Sequence, residues 1–143
     1  SQKPVPLGKA DIKVKGSDIT IVSFSHMLGK ALKAAESLKE EGISCEVIDP
    51  RTLSPLDTET IIGSVKKTGH LLIVHESVKA AGTGAYIAAQ VEEDVFDYLD
   101  GPIGITGGAF CPIPYAHPLE SEVIPQTEDI IEKVKDMLGK DQR

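Results

Sequence analysis

Short runs of β-branched residues, alternating with segments of helical period, constrain this chain more than any other feature. Ile19, Ile21, Val22 and Phe24 form the first run, bounded by Gly16 and Ser17 before and Ser25 after, and read as a buried strand. Leu28, Leu32, Ala35 and Leu38 then recur at helical spacing, and Gly42 stands where a helix C-cap falls, so a helix is expected over 27–41. Residues 43–48 read as a second strand closed by Asp49 and Pro50, and 58–67 as a helix capped by Asp57 or Thr58. A third strand is expected over 70–75, with LLIV at its centre. Helical spacing resumes through Tyr86, Ala89, Val91 and Phe96 and stops at Asp100 and Gly101. A short strand at 103–106 and a helix over 128–138 complete the pattern.

Strands separated by helices of this length need crossovers, which sets consecutive strands parallel in one sheet with helices on both faces. The expected fold class is therefore α/β, a three-layer α/β/α domain with a mostly parallel sheet. With 4% aromatic residues and no Trp, the core must be built from Val, Ile, Leu and Ala, which suits a covered sheet. A length of 143 residues matches one domain. The opening SQKPVPLGKADIKVKG, with two prolines and five charges, has the composition of a linker from a preceding domain. Residues 1–16 are accordingly expected to be a linker, 17–139 the domain and 140–143 a tail.

A net charge of -7 repels nucleic acid and anionic membrane, and the only arginines are Arg51 and Arg143, too few for a guanidinium-lined nucleic-acid groove. No apolar stretch approaches the roughly 18 residues of a membrane span, and no signal-peptide order opens the chain. Neither a nucleic-acid nor a membrane partner is expected. Cys45 and Cys111 stand apart, without a C-x-x-C pair or histidines at metal-ligand spacing. They read as two reduced structural thiols of a cytoplasmic or organellar matrix protein.

Several motifs invite chemistry and fall short of it. AAGTGAY opens a helix after a strand, but a dinucleotide loop needs a third glycine where Ile87 stands, so Gly82 and Gly84 read as turning and packing residues. His75 and Glu76 lack the second histidine of a zinc protease, since Lys79 occupies its place. Ser25 and His26 are adjacent without a G-x-S-x-G elbow. Arg51, in VIDPRTLSPLD, is placed to pair with Asp49, Asp57 or Glu76, or with a carboxylate or phosphate from outside. Glu92, Glu93, Asp94, Asp97 and Asp100 form an acidic run that reads as a solvated helix face or as a surface for a basic partner.

VIDPRTLSPLDTETIIGSVKKTGHLLIVHE, then GTGAYIAAQVEE, then GAFCPIPYAHPLE, occur in the order of one family. The chain resembles the C-terminal domain of the β subunit of the thiamine-dependent first component of 2-oxo acid dehydrogenase complexes, of pyruvate or acetoin type, with branched-chain wording in IDPRT and LLIVHE. The resemblance covers essentially the whole chain from VPLGKA onward. It implies a transketolase C-terminal-like fold, with a mixed five-stranded sheet having an antiparallel edge. It also implies packing against an α subunit and a second β subunit, and docking of the small basic subunit-binding domain of a dihydrolipoyl acyltransferase. Thiamine diphosphate and magnesium belong to the parent enzyme and are held by other domains, so no cofactor, catalytic or metal residue is assigned here.

In that family the turn Leu, acid, small, Pro receives a basic side chain of the acyltransferase, and Leu99, Asp100, Gly101 and Pro102 match it. Asp100 is thus the expected partner-binding residue. Asp49 and Arg51 match the D-x-R-T turn and are assigned to structure and the domain interface. The family's Gly, any, Asp before P-x-P-Y-A is absent, with Phe110 and Cys111 standing there instead. Two other readings stay open: an independent domain binding an acidic metabolite at Arg51, and the C-terminal domain of a transketolase or deoxyxylulose phosphate synthase relative. A homodimer of the domain is also compatible with its exposed faces.

Overall fold

In the computed structural model, residues 4–139 are described. The tail expected at 140–143 lies outside them. The elements are β1 (Asp11–Val14), β2 (Ile19–Ser23), α1 (His26–Glu40), β3 (Cys45–Asp49), α2 (Thr58–Thr68), β4 (Leu71–Val78), α3 (Thr83–Val95), a 3-10 turn (Phe96–Tyr98), β5 (Gly104–Gly108), α4 (His117–Val123) and α5 (Thr127–Met137). The strands form one sheet in the order β1-β3-β2-β4-β5. The pairs β2–β3, β2–β4 and β4–β5 are parallel, and β1 pairs antiparallel with β3. The α/β class and the mixed five-stranded sheet are as expected.

The alternation of strand side chains sorts the core into two layers, because successive residues face opposite sides of a sheet. Ile19, Ile21, Val47, Leu72 and Val74 face one side, where α1 supplies Ala31, Ala34 and Leu38 and α5 supplies Ile130 and Val134. Val22, Ile48, Leu71 and Ile73 face the other, against Ile61 and Val65 of α2 and Ile87, Val91 and Val95 of α3. On this second side Thr20 Oγ1 lies 2.6 Å from Ser64 Oγ and 2.8 Å from Thr68 Oγ1, so its hydroxyl is satisfied although fully buried.

Three differences from the sequence reading matter for function. Residues 11–14, inside the segment expected to be a linker, are a strand of the sheet. Their polar edge composition disguised them, since Ile12 and Lys13 stay exposed. The buried face of α3 runs through Gly84, Ile87, Val91 and Val95, which leaves Tyr86 and Phe96 outside at 44% and 69% exposure. Finally, β4 continues past His75 to Val78 because its end pairs with Gly108 of β5.

Candidate partner-binding surface

The acidic run leaves α3 through the 3-10 turn and reaches Asp100, an exposed residue at the foot of β5. The backbone N–H of Asp100 donates to the Gly69 carbonyl at 2.8 Å, which ties the turn to the C-terminus of α2. Gly69 caps α2 at φ 73, the left-handed angle that favours glycine, and a side chain there would have to displace the exposed Asp100 carboxylate. Among the described residues no ion pair engages Asp100. Lys66, on the neighbouring helix, instead lies 4.8 Å from the centre of the Tyr98 ring.

Beside Asp100 lies a groove of about 700 Å³. Phe96, Leu99, Pro102 and Ile103 supply its apolar wall, and Glu92 and Asp100 supply its charges. Such a surface can accommodate an apolar side chain flanked by cations, because exposed apolar area favours association and carboxylates favour positive charge.

Asp49 and Arg51 serve a different place. The N–H of Arg51 donates to Asp49 Oδ1 at 2.9 Å, closing the turn in which Arg51 takes φ 58. Its guanidinium meets Asp11 Oδ2 at 2.9 Å, so the ion-pair partner is none of Asp49, Asp57 and Glu76. The sequence reading missed Asp11 because β1 went unseen and the pair spans forty residues. Hydrogen bonding to Lys13, with burial opposing it, and then the charges of Lys13 and Arg51 hold the Asp11 carboxyl below its ordinary value.

The same turn fastens the chain before β1: Thr52 Oγ1 accepts from Gly8 N–H at 3.1 Å and Asp57 Oδ2 from Ala10 N–H at 2.9 Å. Asp57 is also the N-cap of α2, accepting from the Thr60 N–H and hydroxyl. Burial raises its pKa, but these hydrogen bonds outweigh burial and hold the carboxyl below the usual range.

Gly82 and Gly84 are engaged in packing, as the sequence reading expected. A side chain on Gly82 would strike the Val78 carbonyl, and one on Gly84 the His75 ring, so both positions need a bare Cα for this turn to pack. Cys45 and Cys111 are both free, the first buried with burial pushing its pKa up to about 12, the second exposed. Beside Cys111 the proline-rich loop holds Phe110, Ile113 and Tyr115 largely in solvent. No group of three or more His, Cys, Asp or Glu among the described residues is arranged to hold a metal ion. No described helix is long and apolar enough to cross a membrane.

A parallel sheet with an antiparallel edge strand, covered on both sides, defines the class, and residues 8–130 match the family described as Transketolase, C-terminal domain. The chain belongs to that family. Within it the sequence is similar to pyruvate dehydrogenase E1 component subunit beta of Rickettsia conorii, 51% identical over 93% of this chain and 41% of that protein. It is also 51% identical to the mitochondrial subunit beta-1 of Arabidopsis thaliana, over 92% of this chain and 36% of that protein. The chain thus spans about two-fifths of the length of these relatives. Among solved structures it is similar to a split-gene transketolase described as an inactive beta4 tetramer, with a TM-score of 0.77 and 28% identity over 94% of this chain and 44% of that one. A 2-oxoglutarate:ferredoxin oxidoreductase from Magnetococcus marinus shares the fold, with a TM-score of 0.60 at 14% identity over 91% of this chain and 20% of that one.

Proposed function

We propose that this chain is the C-terminal assembly and docking domain of the β subunit of a thiamine-diphosphate-dependent 2-oxo acid dehydrogenase of the pyruvate dehydrogenase type. The parent enzyme decarboxylates a 2-oxo acid oxidatively and passes the acyl group to lipoyl groups, and this domain alone does neither. Identity of about half its residues with pyruvate dehydrogenase E1 β subunits supports the parent reaction. The observation that carries the docking role is the groove at Asp100, which joins an exposed apolar wall to carboxylates free of ion pairs among the described residues.

The partner at that groove is the basic subunit-binding domain of the dihydrolipoyl acyltransferase core. An α subunit and a second β subunit pack elsewhere on the domain, and Asp49 with Arg51 belongs to the interface toward the neighbouring domain. Thiamine diphosphate and magnesium act in the parent enzyme at residues of other domains. The compartment is the cytoplasm of a bacterium or the matrix of an organelle, since relatives include a rickettsial and a mitochondrial protein.

Replacing Asp100 by Asn in the intact β subunit tests the docking role by titration calorimetry against the isolated acyltransferase domain. Removing the charge from a desolvated pair weakens binding by about 2 kcal/mol or more, some thirtyfold in Kd. Unchanged affinity would remove Asp100 from the interface. Assaying this domain alone with pyruvate, thiamine diphosphate and magnesium is expected to give no decarboxylation.

A further inference from the structure

The proposed docking role makes no use of His75, although its ring is 1% exposed and its Nε2 has no hydrogen-bond partner among the described residues. The other ring nitrogen, Nδ1, lies 2.9 Å from the Ser77 hydroxyl. Three glycines from two pieces of chain, the start of α3 and β5, pack against the ring. A Cβ on Gly84, in the first turn of α3, would lie 2.6 Å from its Cδ2. One on Gly107 of β5 would lie 2.9 Å from its Cε1, and one on Gly82, before α3, would lie 3.3 Å from Cε1. The imidazole is therefore the common contact of β4, β5 and the start of α3.

With its proton on Nδ1, shared with a Ser77 oxygen, the neutral ring presents the Nε2 lone pair to the positive end of α3, where no acidic side chain occupies the first turn. A second proton would place an N–H and a full charge there, with no acceptor. From β4 the ring meets Ser77, and Lys79 follows at its end. From α3 it meets Gly82 and Gly84, and from β5 Gly107, none of which titrates. Among the described residues, Lys79 is the charged group that bears on it, and it is a cation.

We infer that His75 is a proton-sensitive keystone, which when neutral clamps the first turn of α3 and residues 79–82 to the end of β5 and when protonated releases them. The release reshapes the carboxyl edge of the sheet. There Lys79 and Ala80 share a cavity of about 560 Å³ with Gly107, Gly108 and Phe110, and Ala81 is held at φ 53. Burial lowers the pKa of the ring, a Ser77 hydrogen bond opposes that shift, and Lys79 adds to it, for a net value below the ordinary 6.5. The opened form protonates at its ordinary value and the closed form only at lower pH. The clamp is therefore at full strength above about pH 6.5 and weakens as the pH falls toward the closed-state value.

Hydrogen–deuterium exchange read by mass spectrometry on the intact assembled protein, between pH 7.5 and 5.5, tests this. Protection factors, corrected for intrinsic exchange, are expected to fall for residues 82–90 by up to tenfold per pH unit below 6.5, while those of α1 stay level. Constant protection of 82–90, or an equal loss in α1, would overturn the inference. In a folded His75→Asn protein the pH dependence is expected to vanish from 82–90, and its persistence would overturn the inference equally.

Discussion

Gly84→Ala sets two opposed effects against each other at the centre of this fold. Alanine is preferred over glycine in a helix by at most about 1 kcal/mol, and Gly84 is the second residue of α3, so propensity alone favours the change. The added methyl meets His75 Nε2, lies 2.6 Å from Cδ2 of the same ring and 2.9 Å from Ile105 Cγ2. The His75 ring is buried at 1% exposure and hemmed by glycines, so overpacking against it costs about 2 to 3 kcal/mol. The net loss is about 1 to 2 kcal/mol. Unfolding entropy of roughly 2.1 cal/mol/K per residue, over 143 residues, converts this to a fall in Tm of about 3 to 7 °C.

Gly63→Ala supplies the control, because Gly63 lies in α2 with nothing within 4 Å of its added methyl. There only propensity acts, and a gain of about 0.5 to 1 kcal/mol is expected. Urea unfolding of both variants, followed by circular dichroism, measures the difference. Equal stabilisation by the two substitutions would refute the packing of α3 on the His75 ring.

Asp57→Ala removes both the cap of α2 and the acceptor of the Ala10 N–H, and is expected to cost about 2 kcal/mol in chemical unfolding. Because the folded Asp57 carboxyl titrates below its ordinary 3.8, its contribution is present above that value and is lost as the pH falls through the folded one. Acid titration of Asp57→Asn should therefore lack that part of the wild-type decline, and an unchanged acid limb would count against it. Arg51→Ala breaks a partly exposed pair with Asp11 and is expected to cost less than about 1 kcal/mol. If Arg51 serves the domain interface, sedimentation should show weakened subunit assembly despite that small cost, whereas unaltered assembly leaves it a local fastening only.

Sequence by itself determined the class of this domain and the strands at the centre of its core. The runs around Ile21, Val47 and Ile73 are apolar on both strand faces, which only a covered, largely parallel sheet accommodates, and Asp57 announced α2 through its capping chemistry. These are local properties, set by side-chain type and spacing along a few residues.

Tertiary structure alone decided what depends on residues far apart in the chain. Asp11–Val14 is a strand because β3 offers an unpaired edge, and Arg51 finds Asp11 only once that pairing exists. Helix α4 has no buried residue, so no apolar periodicity marked it, and Pro118 in its first turn resembled a loop signal. Asp100 was proposed from a family turn, whereas the groove beside it required the outward rotation of Phe96, which follows from the face of α3 that the sheet buries. The glycine motif before α3 was legible as a packing device, but what packs there was not. His75 reaches those glycines through the pairing of β4 with β5 and the docking of α3, contacts that periodicity cannot encode because they form only when the sheet closes.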